Sequence, residues 1–231
     1  MKIMKIILKS IPEKNLKKIF KKIPAAALVF FLAACSQSEP VISYGTLELV
    51  YYENGGNHAE RFSFFVLPQD DDGVEDLEEL LLYHDWEGLS WQIKSKDWIK
   101  QEIDGKTWIG SGDIAMNERA PLPRGQFRAV LVDKGGSRSE RLISFDAPAA
   151  GGDFPALEIS GERYRITSRY PRQNLVLYDN EGNYLSTVTA SALEGSLASL
   201  ELPSRAETAA LWARDPSRSV SAFTDVVPLH D

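Results

Sequence analysis

From Gly45 onward the chain is written in short runs of alternating apolar and polar residues, each closed by turn-forming residues. A period of two puts every second side chain on one face of an extended strand, so each run reads as a half-buried strand. Thr46-Leu47-Glu48-Leu49-Val50-Tyr51-Tyr52 shows it first, with Leu47, Leu49 and Tyr51 on one face. Asn54-Gly55-Gly56-Asn57 then closes the run as a turn. Further runs cover 61–67, 80–84, 89–93, 106–109, 126–133 and 138–145, and then 163–168, 174–179, 184–188, 197–202, 208–214 and 219–227. Many short strands at this spacing specify an all-β sandwich or barrel. Residues 74–83 differ, because Leu77, Leu80 and Leu81 stand at helical spacing among strong helix formers. We read them as a helical turn running into a strand.

A faint internal repeat marks the hairpins. Val130-Leu131-Val132-Asp133-Lys134-Gly135-Gly136 matches Val176-Leu177-Tyr178-Asp179-Asn180-Glu181-Gly182, and Leu82-Tyr83-His84-Asp85-Trp86-Glu87-Gly88 is a looser copy. Each ends an apolar strand on an aspartate, with glycine three residues later. An aspartate that opens a turn accepts from the turn's backbone N–H groups, and the glycine takes the positive φ that closes it. Between the two halves, Ala147-Pro148-Ala149-Ala150-Gly151-Gly152-Asp153 lacks any large apolar residue, as domain boundaries do.

The first 35 residues follow other rules. Lys2, Lys5, Lys9, Lys14, Lys17, Lys18, Lys21 and Lys22 face one acid, Glu13, and an uncharged apolar run over 23–34 follows. A cationic segment before a short apolar one is the layout of a secretory signal, and the run is too short for a conventional membrane span. It ends in Leu32-Ala33-Ala34-Cys35, which resembles the lipobox of bacterial lipoproteins. The long lysine-rich leader resembles those of some spirochaete lipoproteins. The resemblance implies cleavage between Ala34 and Cys35, with lipid on the Cys35 thiol. It also implies attachment to a membrane of the cell envelope through that lipid, and Ser36 resembles the outer-membrane-directed class. More than one acyl chain makes such an anchor firm.

Cys35 is the only cysteine, so the remaining chain has no internal disulfide and must be held by its core. The leader carries eight of the 26 basic and one of the 33 acidic residues, which leaves the rest at a net charge of −14. Nucleic acid is excluded as a partner on charge, because its phosphates require a basic face.

Within the β region, Leu122-Pro123-Arg124-Gly125-Gln126-Phe127-Arg128-Ala129-Val130-Leu131-Val132-Asp133 and the strand after it resemble the penultimate hairpin of immunoglobulin-like and fibronectin III-like modules. The second β region resembles them more weakly. The resemblance implies two small immunoglobulin-like β-sandwich domains. The resulting division is a signal peptide over 1–34, a lipidated cysteine and tether over 35–43, a first sandwich over 44–147, a linker over 148–153 and a second sandwich over 154–231.

Few residues point to chemistry. Asp70, Asp72, Asp76 and Glu79 approach the spacing of a calcium loop around Gly73, but the first ligand position falls on Pro68, so a solvated acidic loop is the expectation. His58, His84 and His230 stand in no metal-ligand spacing, and His84-Asp85 point to opposite faces of a strand. There is no Gly-x-Ser-x-Gly elbow and no phosphate loop. Trp91 sits in an apolar alternation and reads as core, whereas Trp86 lies in a turn and Trp98 in the charged run Lys94-Ser95-Lys96-Asp97-Trp98-Ile99-Lys100. Trp86 and Trp98 are either packing residues or, if both rings are exposed and coplanar, a binding platform. The expectation is a non-catalytic envelope lipoprotein without cofactor or metal, with an envelope or surface protein as partner. The alternative is a glycan bound on those two tryptophans.

Overall fold

The computed structural model describes residues 38–117, 120–147 and 154–230. The fold is all-β, as the alternation requires. The first half supplies β1 (Val41–Asn54), β2 (Asn57–Gln69), β3 (Leu77–His84), β4 (Leu89–Lys94), β5 (Ile99–Ile103), β6 (Lys106–Ile114), β7 (Gly125–Asp133) and β8 (Arg138–Phe145). The second supplies β9 (Ala156–Ser160), β10 (Arg163–Thr167), β11 (Arg172–Tyr178), β12 (Tyr184–Thr189), β13 (Glu194–Ser196), β14 (Thr208–Asp215), β15 (Val220–Phe223) and β16 (Val227–Pro228). The ambiguous segment resolves as a single 3-10 turn, Val74–Asp76, leading into β3.

In the first half, β1-β2-β6-β5 faces a four-stranded sheet of order β4-β3-β7-β8. These are the strand neighbours of an immunoglobulin-type sandwich with an added edge strand. The 122–133 segment therefore forms the last hairpin of its sandwich, β7–β8, where the resemblance implied the penultimate one. In the second half, β12-β11-β14 with β15 and β16 stands opposite the three-stranded sheet β13-β10-β9. The halves share a sheet. β15 pairs antiparallel with β14 and parallel with β1, Leu49 opposite Val220 and Tyr52 opposite Phe223, so one nine-stranded sheet spans residues on both sides of 148–153.

Two apolar cores follow. Leu47, Leu49, Tyr51, Phe62, Phe64, Leu80, Leu82, Phe127 and Leu131 fill the first, and Val220 and Ala222 of β15 complete it. Tyr164, Ile166, Leu175, Leu177, Leu211 and Leu229 fill the second. Tyr170 packs against both, and burial pushes its phenol up to about 12. The continuous runs 80–82 and 129–132 are explained by a third, smaller cluster. Leu81, Val130 and Val132 are buried on the outer face of the four-stranded sheet with Tyr83 against them, so both faces there are apolar.

Close approach of strands is settled at one glycine. A Cβ on Gly110 would lie 2.0 Å from the Phe64 carbonyl oxygen and 2.7 Å from Phe65 Cα, so the β2–β6 pairing requires glycine there.

Candidate functional site

The strand order sets the ends of the first sandwich. β1 begins beside the end of β2, with Val41 opposite Gln69, and runs to the Gly55-Gly56 turn. β3 starts after the loop that follows Gln69 and climbs to His84, so the 84–88 turn lies at the end away from Val41. At that end Arg124 enters β7. Its guanidinium donates to Glu60 from Nη2 to Oε1 at 3.0 Å and from Nη1 to Oε2 at 3.1 Å, and its Nε donates to the Ala147 carbonyl at 2.8 Å. Glu60 Oε2 also accepts from the Leu122 N–H at 2.8 Å. This mostly buried pair fixes the Leu122-Pro123-Arg124 corner. Gly125 then starts β7 at φ 113°, a conformation that other residues rarely hold.

On this corner rests a cleft of about 670 Å3, walled by His84, Trp86, Gln126, Phe127, Arg128 and Leu142. Trp86 is 93% exposed, the most open large apolar side chain among the described residues. Its turn is closed by Glu87 N–H to His84 carbonyl at 3.2 Å and by Gly88 at φ 66°. Beside it, Arg128 holds Asp85 in a fork, Nε to Oδ2 at 2.9 Å and Nη2 to Oδ1 at 2.8 Å. Its third arm donates from Nη1 to Glu140 at 3.1 Å, and its guanidinium lies 4.6 Å over the Tyr83 ring. The hydrogen bond from Arg128 holds the Asp85 carboxyl below the usual carboxylate range, and the same bond raises the Arg128 guanidinium. Leu142, also exposed, lines the same cleft.

His84 forms the floor. It is 2% exposed, tilts against Phe127 at 4.8 Å, and Nε2 lies 3.0 Å from the Arg124 carbonyl, which fixes it as the donor. Nδ1 is also buried and has no partner in the structure. His84 and Asp85 do point apart, into the core and out to Arg128 respectively.

The second tryptophan singled out from the sequence is elsewhere. Trp98 is 9% exposed and belongs to the first core. The chain crosses between the two sheets from β4 to β5 at this point, and the ring closes the side of the sandwich while Lys96 and Asp97 stay in water. Trp86 and Trp98 therefore form no exposed coplanar pair, and the two-tryptophan glycan platform is overturned. Trp91 is half-buried against the core, with its ring N–H donating to the Ala115 carbonyl at 3.1 Å. Arg128, Leu142 and Gln126 escaped sequence reasoning because their hairpin, β7–β8, meets the 84–88 turn only in the folded chain, with Arg128 43 positions from Asp85. The charge of Arg128 within an apolar β7 run was the one available signal.

The acidic loop is a turn. Asp70 Oδ1 accepts from the Asp72 N–H at 2.9 Å, and Glu79 sits on β3 bonded to Gln92. Among the described residues no group of three or more His, Cys, Asp or Glu side chains is placed to hold a metal ion. Ala34, Cys35, the signal segment and the 148–153 linker lie outside the described residues.

No protein-family model matches the chain, and no curated protein matches it in sequence. Among solved structures, the 47-kilodalton lipoprotein Tp47 of Treponema pallidum aligns at a TM-score of 0.43 and 15% identity, over 84% of this chain and 52% of that one. Murine CEACAM1b aligns at a TM-score of 0.24 and 12% identity, over 80% and 98%. The chain thus spans about half the length of Tp47. At these scores neither likeness assigns a function or a site.

Proposed function

We propose that this chain is a lipid-anchored protein of the bacterial cell envelope that recognises another protein through the Trp86 cleft and performs no catalysis. The anchor rests on Leu32-Ala33-Ala34-Cys35 behind a cationic and then apolar leader. The recognition role rests on one observation, the full exposure of Trp86 on a turn braced by the Asp85–Arg128 fork. Tryptophan and arginine dominate binding hot spots, and a ring held in place loses little entropy when a partner covers it. The cleft also stands at the end of β1 opposite its start. Tyr51, which meets Arg124, is about ten extended residues from Val41, roughly 30 Å at strand rise. A protein held by Cys35 would present this end away from its membrane.

The test places a photoreactive benzoylphenylalanine at position 86 in living cells, with position 184 as an exposed control, since Tyr184 is also exposed. The reading expects a discrete protein adduct from position 86 that is lost when Leu142→Asp puts charge on the cleft wall. No adduct, or the same adduct from position 184, would overturn it.

A further inference from the structure

The outer face of the β1-β2-β6-β5 sheet is divided in two. Register places Tyr44 across from Leu67, and Thr46 across from Phe65, Gly110 and then Ile99. Side chains directly opposite one another share a face. Toward the end of β1 near Tyr52 this face carries ion pairs. Arg61 meets Asp113 at 3.1 Å and lies over the Tyr52 ring at 3.9 Å, and Arg214 meets Glu48 at 3.4 Å. Toward Val41 it is apolar. Val41, Tyr44, Leu67, Trp108, Ile99 and Ile103 lie there, with Tyr44 54% exposed and Val41, Ile99 and Ile103 exposed over nearly half their surface. Tyr44 and Trp108 meet edge to face at 5.9 Å, and Phe65 is buried beneath them. Four of the nine exposed large hydrophobic side chains among the described residues therefore sit on one half of one sheet face. Singly exposed apolar residues need no explanation, but a contiguous group marks a contact surface.

We infer that this half-face lies against the lipid bilayer to which Cys35 tethers the chain, an inference that rests on the lipid-anchor reading above. The tether carries the argument. Five residues lie between Cys35 and Val41, and the six Cα-to-Cα steps from one to the other reach at most about 20 Å when extended. The patch surrounds the point where the tether enters β1, so lipidation holds it within that reach of the headgroups at high effective concentration. Its chemistry fits. Tryptophan and tyrosine favour the boundary between acyl chains and headgroups, where an apolar ring meets a polar edge. The cations at its rim suit the same depth: Arg141 lies 5.7 Å from the Tyr44 ring, and Lys106 stands across from Ile103. The ion-paired half of the face stays in water. The net charge of −14 outside the leader disfavours anionic lipid, so the contact is apolar and interfacial and is met by zwitterionic headgroups.

The test uses the lipidated protein purified from membranes, after mass spectrometry of the Cys35 peptide. It is placed in phosphatidylcholine vesicles whose acyl chains carry bromine, which quenches tryptophan on contact. The expected result is partial quenching that Trp108→Phe abolishes, that Trp86→Phe leaves intact, and that the surface variant Ile103→Asp weakens. Absence of quenching with Cys35 lipidated, or quenching that persists in Trp108→Phe, would overturn the bilayer contact and leave the anchor standing. A dimer that Ile103→Asp dissociates, without quenching, would also overturn it by assigning the face to a second copy. A Cys35 peptide without lipid would remove the anchor and this inference together.

Discussion

At the scale of single residues, one spelling serves two purposes. The glycines three residues after Asp85, Asp133 and Asp179 all take positive φ, 66°, 88° and 80°. Two of the aspartates behave as the turn requires. Asp133 Oδ1 accepts from the Ser137 N–H at 2.8 Å, and Asp179 Oδ1 accepts from the N–H groups of Glu181 at 3.0 Å and Asn183 at 2.9 Å. Asp85 instead gives its carboxylate to Arg128, a residue 43 positions away that no local pattern indicates. Turn glycines were legible because φ is local, while the carboxylate's partner was not because it is tertiary. The tryptophans make the same point: Trp86 tips a hairpin turn within one sheet and is exposed, whereas Trp98 sits where the chain crosses between sheets and is buried. The turn bonds carry a pH prediction. The Asn183 N–H, with the side-chain bond from Asn183 and the Glu181 N–H, holds the Asp179 carboxyl below its ordinary 3.8. A depressed folded-state value contributes stability that is full above the ordinary value and is lost as pH falls through the folded one. Asp179→Asn is expected to narrow the difference between urea midpoints measured at about pH 6 and about pH 3, the first well above the ordinary value and the second below it. An unchanged difference would mean the turn contributes nothing to acid sensitivity.

At the scale of elements, most strands with alternating apolar faces were legible, but β9 was not read as a strand although Leu157 and Ile159 alternate with polar residues in it. Residues 99–103 escaped because β5 is an edge strand with all five residues exposed, and its Lys100, Gln101 and Glu102 break the apolar pattern. Charged edges resist pairing with other chains, so such strands read as loops. Residues 197–202 were expected as a strand, but Leu197–Ser199 is a 3-10 turn, begun when the Ser196 hydroxyl accepts from the Ala198 N–H. The run 219–227 divides into β15 and β16 because Thr224 interrupts the ladder. Its Oγ1 accepts the buried Leu211 N–H at 2.9 Å and donates to the Asp225 carbonyl at 3.0 Å. The tightest constraint on an element is Gly110. Gly110→Ala is expected to destabilise the protein by about 2 kcal/mol or more, since backbone must move to admit the methyl group. A Cβ at Gly112 meets nothing within 4 Å, so Gly112→Ala is expected to stay within about 0.5 kcal/mol. Paired denaturation curves check both, and equal effects would show that β2 and β6 are not held this closely.

At the scale of the whole molecule, the feature hidden from the sequence is the parallel pairing of β1 with β15, residues 49–52 with 220–223. Nothing in either strand names the other, and a parallel ladder leaves no hairpin signature. Its consequence is mechanical. Ser219, at φ 51°, gives its carbonyl to the Leu49 N–H at 2.9 Å, and Ala222 packs in the first core although it lies far along the second half of the chain. Thermal unfolding is accordingly expected as one cooperative transition, with coincident midpoints by near-ultraviolet circular dichroism and tryptophan emission. Two separated transitions would contradict a shared sheet. The outward placement of the Trp86 cleft and the bilayer contact of the Trp108 face both depend on the lipid at Cys35, which makes that residue the first to test. Cells fed a clickable palmitate analogue should label the wild-type protein and fail to label Cys35→Ala, with the wild type in the membrane fraction and the variant released from it. Equal labelling of the two, or no label on the wild type, would contradict the account.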